Sequence, residues 1–90
     1  MISQSLISTI SACAREFDAR AIWLFGSALE DESTARDIDV AVEGLAPEKF
    51  FPFWARLDMA VAKSIDLVDL SLNPPIAHII RARGIRVHEG

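Results

Sequence analysis

Two strand-forming stretches joined by an acidic loop limit the architectures open to this chain. The first, residues 21–25, is nearly all apolar and ends at Gly26-Ser27. The second, residues 37–43, alternates apolar and polar side chains, and the polar stretch between the two has no periodicity. The pattern predicts a buried strand that leads into a glycine turn, followed by a loop and a second strand.

Helical periodicity flanks these strands. Apolar residues recur at helical spacing over residues 2–17 and again from Phe50 to Ala62, where Pro47 opens the second helix and its end is expected near Lys63. The remaining elements are predicted in chain order: a strand over residues 65–70, a short helix from Asn73 through Arg83 that Gly84 terminates, and a last strand over residues 85–88. The predicted order is therefore αββαβαβ.

Length and charge set further bounds. Ninety residues are below the usual domain size, so the chain is expected to form one small domain, spanning 1–90, or a fragment of one. No apolar run approaches the roughly 20 residues of a membrane span, and the start lacks the basic region of a secretory signal, which predicts a cytoplasmic location. The net charge of −4 argues against a general nucleic-acid binder. Arg81, Arg83 and Arg86 are interpreted as a solvated helix end, and Cys13 as a small buried hydrophobic residue.

The aspartates that open the second strand carry the chemical signal. Asp37 and Asp39 project to the same face of a strand, so their carboxylates repel each other unless a cation lies between them. Hard oxygen ligands of this kind suit Mg²⁺. Gly26 and Ser27 supply free backbone N–H groups and allow close approach, which a polyphosphate requires. Metal ligands beside a phosphate cradle predict phosphoryl or nucleotidyl transfer.

Three segments also carry a family resemblance: Leu24-Phe25-Gly26-Ser27, Ala35-Arg36-Asp37-Ile38-Asp39-Val40-Ala41-Val42 and Ile65-Asp66-Leu67-Val68-Asp69-Leu70. Together they resemble the minimal nucleotidyltransferases, small members of the DNA polymerase β superfamily. The resemblance covers roughly residues 20–90. It implies an α/β (α+β) nucleotidyltransferase fold, with a mixed four-stranded sheet flanked by helices, which agrees with the element order above.

The resemblance implies an enzyme that transfers AMP from ATP to an acceptor hydroxyl with two Mg²⁺ ions. Asp37, Asp39 and Asp66 are the implied catalytic and metal-binding residues. Gly26 and Ser27 are the implied triphosphate-binding residues.

The loop after Gly-Ser departs from the family pattern. Many relatives carry a small-Arg-Gly sequence there and a serine before the first aspartate, whereas this chain has Leu29-Glu30-Asp31 and Arg36. Since acidic residues facing a triphosphate would repel it, Glu30, Asp31 and Glu32 are expected to point to solvent. Arg36 is expected to supply the missing positive charge to the nucleotide.

A protein partner is also implied by the resemblance. Family members of this size are often antitoxins, encoded beside a helical ribonuclease of the HEPN class that they inactivate by adding AMP to a tyrosine. The resemblance does not decide whether the chain also forms a homo-oligomer. So small a domain cannot easily bury Phe50, Phe51, Phe53 and Trp54 on one helix face, and whether they form a partner surface or a covered core stays open too.

Two other classes of function compete with this interpretation. A non-catalytic binding module would neutralise its partner by contact alone, and the three candidate carboxylates argue against it. Asp37-Ile38-Asp39-Val40 also resembles the nucleophile motif of haloacid-dehalogenase-type phosphatases. That motif lies at the carboxyl end of its strand, whereas these aspartates begin theirs.

The third strand offers two aspartates, of which only one fits the site. Asp66 and Asp69 are three residues apart and project to opposite faces of a regular strand. Asp66 matches the early position, between an aliphatic residue and leucine, that the resemblance implies. Asp69 is expected to accept backbone hydrogen bonds where the Pro74-Pro75 helix opens.

Overall fold

The computed structural model describes residues 2–90, and its elements follow the predicted αββαβαβ order. The elements are α1 (Gln4–Glu16), β1 (Ala21–Phe25), β2 (Asp37–Glu43), α2 (Phe50–Ala60), β3 (Ser64–Asp69), α3 (Ala77–Arg83) and β4 (Ile85–Glu89). None of the helices within this range is long and apolar enough to cross a membrane.

The four strands form one mixed sheet in the order β3-β2-β1-β4. β1 runs antiparallel to both β2 and β4, whereas β2 and β3 are parallel. A central position suits β1, because its apolar residues meet neighbours on both edges and both faces. The predicted fold class, a mixed four-stranded sheet flanked by helices, is confirmed.

The larger core lies where α1 and α2 pack on one face of the sheet. The alternating residues Ile38, Val40 and Val42 all point into it and are at most 1% exposed. From the helices, Phe53 and Leu57 are fully buried in the same core. Cys13 of α1 is also part of it, as the sequence predicted.

A smaller core lies on the opposite face, under α3. Ala77 and Ile80 of α3 pack there with Ala41 of β2 and with Leu70, which follows β3. This short helix covers only part of the face. The end of the face where β2 begins therefore stays accessible.

Helix α2 is shorter at both ends than predicted. Pro47 opens a 3₁₀ turn, Pro47–Lys49, and the α-helix follows it at Phe50. The helix ends at Ala60, before the predicted end near Lys63, because Val61 already has an extended backbone. That early end frees Lys63 for contacts with the loop before β2.

The connection from β3 to α3 also differs from the prediction. Leu70–Leu72 forms a 3₁₀ turn, so β3 ends at Asp69 rather than Leu70. Asn73 then adopts a left-handed backbone with φ of 50°. The helix therefore begins at Ala77 rather than directly after Asn73.

Candidate active site

The sheet register brings the predicted aspartates onto one face and one end of the sheet. Asp39 of β2 lies directly opposite Asp66 of β3 and, on its other side, opposite Phe25 of β1. Asp37 is two residues before Asp39 and shares its face. Asp37 and Asp66 are exposed, whereas Asp39 is half-buried. Their placement matches the sequence expectation, and their catalytic and metal-binding roles stay predictions.

Asp39 has the most perturbed environment of the three aspartates. Burial raises the pKa of its carboxyl group above the ordinary value, and the negative charges of Asp66 and Asp37 raise it further. All three causes disfavour the ionised form. A cation bound among these carboxylates would offset the repulsion from Asp66 and Asp37.

Gly26 lies against the Asp39 carboxylate, and a side chain at this position would have to displace that carboxylate. A Cβ atom at Gly26 would lie 2.1 Å from Oδ2 of Asp39, and the backbone φ is 81°, in the region that favours glycine. A 3₁₀ turn, Gly26–Leu29, follows directly and leaves Ser27 exposed. The Gly-Ser turn therefore lies against the aspartate cluster, as a phosphate cradle beside a metal site requires.

The acidic residues after this turn have different surroundings. Asp31 accepts hydrogen bonds from the backbone and hydroxyl of Ser33, and these lower the pKa of Asp31. Glu32 accepts from the backbone N–H of Ser3, just before α1, at 2.6 Å. Glu30 is exposed, but it lines a cavity beside Gly26 and Ser27. The expectation that these acids point to solvent stays a prediction with respect to a bound nucleotide, and Glu30 is exposed at the rim of the cavity beside the Gly-Ser segment.

Lys63 fastens the loop that leads into Asp37. Its ammonium donates to the backbone carbonyls of Glu32 and Ala35, the latter at 2.8 Å. Because Lys63 directly precedes β3, this contact ties the approach to Asp37 to the strand that carries Asp66. From the sequence, Lys63 was predicted only to lie near the end of α2. The sequence feature that could have indicated this contact is the position of Lys63, directly before an acidic strand.

Two side chains of α2 hold the start of β3. The indole N–H of Trp54 donates to the carbonyl of Ile65 at 2.7 Å, and the Asp58 carboxylate accepts from the Ile65 N–H at 3.1 Å. Since β3 is an edge strand, one side of its backbone has no strand partner. The i, i+4 pair supplies that partner and so fixes the residue before Asp66.

The aromatic residues of α2 divide between the core and the surface. Phe53 is fully buried, and Phe50 and Trp54 pack against the larger core. Phe51 is 73% exposed, with its ring stacked on Trp54 at 6.5 Å between centroids. Of the four, Phe51 alone presents a largely exposed ring.

Asp69 has a structural role at the end of β3. It pairs with Val42, and its side chain accepts from the backbone N–H of Ser71 at 2.9 Å. It therefore caps the 3₁₀ turn after β3 rather than the helix opened by Pro74, which corrects the expected partner. Asp66 and Asp69 do lie on opposite faces, as the odd spacing predicts.

An open cavity of about 520 Å³ lies between the Gly-Ser turn and α3. Its lining residues are Phe25, Gly26, Ser27, Leu29, Glu30, Ile76, Ile79, Ile80 and Arg83. The candidate nucleotide residue Arg36 is exposed just before β2 and does not line this cavity. Arg83 does line it, although its sequence position predicted a solvated helix end.

The chemistry of the donors suits a hard divalent cation. Among residues 2–90, no three acidic, histidine or cysteine side chains converge closely enough to hold a metal ion as they stand. Asp39 and Asp66 nevertheless lie opposite each other on paired strands, and such strands are about 4.8 Å apart. This pairing places the two side chains next to each other on one face of the sheet.

Comparison with solved structures finds the same fold. A chain from the crystal structure of a toxin-antitoxin with AMP-PNP is similar with a TM-score of 0.76 and 23% identity, over 93% of this chain and 73% of that one. A chain from the toxin-antitoxin MntA-HepT gives 0.74 and 22%, over 98% and 74%. A mutant of the toxin-antitoxin MntA-HpeT gives 0.75 and 21%, over 93% and 73%.

Sequence comparison establishes the family. No curated protein matches the chain. The family described as Polymerase beta, Nucleotidyltransferase matches residues 8–89, a span that includes the Gly-Ser turn and all three aspartates. The chain therefore belongs to the polymerase β nucleotidyltransferase family.

Proposed function

We propose that this chain is a Mg²⁺-dependent enzyme that transfers AMP from ATP to a hydroxyl group of a partner protein. The observation that carries the proposal is the pairing of Asp39 with Asp66 at the sheet end where Gly26 lies against the Asp39 carboxylate. Phosphate-binding backbone and metal-binding oxygens thereby meet at one place. Nucleotidyl transfer requires that combination.

Asp37, Asp39 and Asp66 would hold the metal. Bound Mg²⁺ supplies Lewis-acid activation of the attacking hydroxyl and neutralises charge on the departing pyrophosphate. The raised pKa of Asp39 supports this assignment, because the carboxylates that disfavour its ionisation are the same groups that a divalent cation would draw together.

The chain's own residues would position the reactants and move one proton. The backbone N–H groups of Gly26 and Ser27 bind the triphosphate oxygens. The acceptor hydroxyl oxygen forms a bond to the α-phosphorus, the bond from that phosphorus to the pyrophosphate oxygen breaks, and the hydroxyl proton passes to the Asp66 carboxylate. Exposure of Asp66 leaves it accessible to an acceptor carried by another protein. Positioning and charge neutralisation account for most of the catalysis.

The partner that we propose is a toxin of the HEPN class, with this chain as its antitoxin and a tyrosine of the toxin as acceptor. The similar folds found in toxin-antitoxin complexes, one of them with AMP-PNP, support this proposal. Exposed apolar side chains at Phe51 and Met59, 73% and 82% exposed, would contribute contact surface.

The test is mass spectrometry of the protein encoded beside this chain, after incubation with this chain and ATP. With Mg²⁺ we expect a mass increase of one AMP residue on a tyrosine, and with EDTA or with Asp39→Asn we expect none. A partner that binds and is inhibited but stays unmodified in Mg²⁺ would favour the non-catalytic binding module instead. Asp69→Ala, on the same sheet but outside the site, serves as the matched active control.

A further inference from the structure

Beyond the aspartates and the Gly-Ser turn, α3 carries a row of side chains toward the same cavity. Ile76, the N-cap residue of α3 with helical backbone angles, is followed at i+3 and i+7 by Ile79 and Arg83, so the three lie on one side of the helix. All three line the cavity beside Gly26 and Ser27. The row extends about 10 Å along the helix axis.

The end of α3 that carries Arg83 lies beside β1. A Cβ at Gly84, the next residue, would be 3.0 Å from the carbonyl oxygen of Leu24. Gly26 follows Leu24 by two residues. The backbone of Arg83 therefore lies near the Gly-Ser turn, which comes before the aspartates in the chain.

The three arginines of the basic segment differ in their contacts. Arg81 donates two hydrogen bonds to Glu43, both at 3.2 Å. The guanidinium of Arg86 lies 5.5 Å from the centroid of the Trp23 ring. Within residues 2–90, Arg83 forms no ion pair with a carboxylate. Among the residues that the structure describes, it is also the only basic side chain of the cavity wall.

Charge balance gives Arg83 its importance. The cavity wall includes Glu30, and the neighbouring cluster consists of Asp37, Asp39 and Asp66. A triphosphate bound between the cavity and this cluster would lie near the carboxylates of the cluster, and like charges repel. A single arginine facing the cavity would donate charge-assisted hydrogen bonds to the phosphates, which ionised carboxylates cannot do.

The isoleucines differ from ordinary core residues. Ile76 and Ile79 are 40% and 47% exposed, whereas their neighbour Ile80 is 1% exposed and belongs to the smaller core. Half-exposed aliphatic side chains on a cavity wall offer an apolar contact to a flat ring. A nucleotide is divided in the same way: the flat faces of its base can pack against aliphatic side chains, and its phosphates are charged.

We infer that the Ile76-Ile79-Arg83 row is the second wall of a nucleoside triphosphate site, with Arg83 on the phosphates and the two isoleucines on the base. This inference rests on the proposed function, because it takes ATP as the ligand. It assigns the phosphate-binding cation to Arg83 rather than to Arg36.

Calorimetric titrations with Mg²⁺, using ATP and base-free tripolyphosphate as ligands, test each end of the row. Arg83→Gln should weaken both ligands, ATP by roughly tenfold or more, the contribution expected of a charge-assisted hydrogen bond. Ile79→Ser should weaken ATP and leave tripolyphosphate unchanged. Arg86→Gln and Ile85→Ser are the matched controls, since Ile85 is also 47% exposed but lies outside the cavity.

The outcomes separate the two proposals. ATP binding by the wild type that Arg83→Gln leaves intact would overturn the inference, and a loss in Arg36→Gln instead would return the cation to Arg36. Equal weakening of both ligands by Ile79→Ser would overturn the base contact. Failure of the wild type to bind ATP in Mg²⁺ would reject the proposed function itself, and the inference with it.

Discussion

Replacing Asp39 with asparagine is expected to stabilise the metal-free chain, although it removes a carboxylate from the candidate site. Asp39 lies directly opposite Asp66 on a paired strand. At a separation of about 5 Å, two unit charges repel by about 1 kcal/mol in water and by about 3 kcal/mol at an effective dielectric constant of about 20. Because Asp66 is exposed, the lower value applies. The expected gain in unfolding free energy is therefore about 1 kcal/mol.

The size of this gain depends on pH. Burial and the charges of Asp66 and Asp37 raise the pKa of Asp39 in the folded state. When Asp39 is protonated in both states, its raised pKa costs the folded state nothing. The folded state loses stability as pH rises from the pKa of the unfolded state, about 3.9, to the higher pKa of the folded state. The penalty is complete above the folded pKa. Asparagine has no such penalty, so the variant's advantage is largest at neutral pH.

Thermal unfolding followed by circular dichroism in EDTA measures the effect. For a domain of this size, about 1 kcal/mol corresponds to an increase of roughly 4–8 °C in Tm. Asp39→Asn should show that increase at pH 7 and lose most of it near pH 4, whereas Glu48→Gln, an exposed acid outside the site, should show neither. A lower Tm for Asp39→Asn at pH 7 would refute the reasoning and assign Asp39 a structural role.

Four further substitutions probe the parts around this cluster. Gly26→Ala should cost about 1–2 kcal/mol of stability for its left-handed backbone and reduce ATP affinity, since the new Cβ displaces the Asp39 carboxylate; unchanged calorimetric binding would contradict this. Lys63→Met should leave two loop carbonyls without their donor, cost about 1–3 kcal/mol, and speed amide hydrogen exchange over residues 32–37. Asp66→Asn should abolish transfer at an unchanged or higher Tm, whereas Asp69→Ala should keep transfer and lose about 1 kcal/mol; the reverse pattern in paired activity and melting assays would exchange their roles.

Much of the fold was predictable because hydrophobic periodicity reports which residues are buried. The alternation over residues 37–43 predicted β2 with its correct bounds, and the apolar run at residues 21–25 did the same for β1. Alternation also predicted that Asp37 and Asp39 share a face. The helix ends were less predictable, because Val61 and Asn73 leave helical geometry through local backbone conformations that composition does not specify.

The pairing of strands was the part of the site that sequence reasoning reached only through family resemblance. Alternation shows that Asp66 and Asp69 differ in face, but register decides which of them meets Asp39, and register depends on tertiary packing. The contacts of Trp54, Asp58 and Lys63 were missed for a related reason. They satisfy backbone groups distant in sequence, which no local pattern announces.

Arg83 shows the limit of interpreting charge by composition. Three arginines within six residues, 81–86, form a basic patch typical of a helix end. In the structure Arg81 binds Glu43 and Arg86 lies over Trp23, whereas Arg83 lines the cavity beside the Gly-Ser turn. Neighbouring arginines in a sequence can therefore have different surroundings, which only the structure reveals.

The central claim, nucleotidyl transfer at the aspartate cluster, is tested most directly by following the label from ATP. Purified partner protein is incubated with this chain, Mg²⁺ and ATP carrying radiolabelled phosphorus at either the α or the γ position. We predict label on the partner from α-labelled ATP, labelled pyrophosphate from γ-labelled ATP, and neither with Asp39→Asn. Label on the partner from γ-labelled ATP, or equal transfer by the Asp39→Asn variant, would contradict the account.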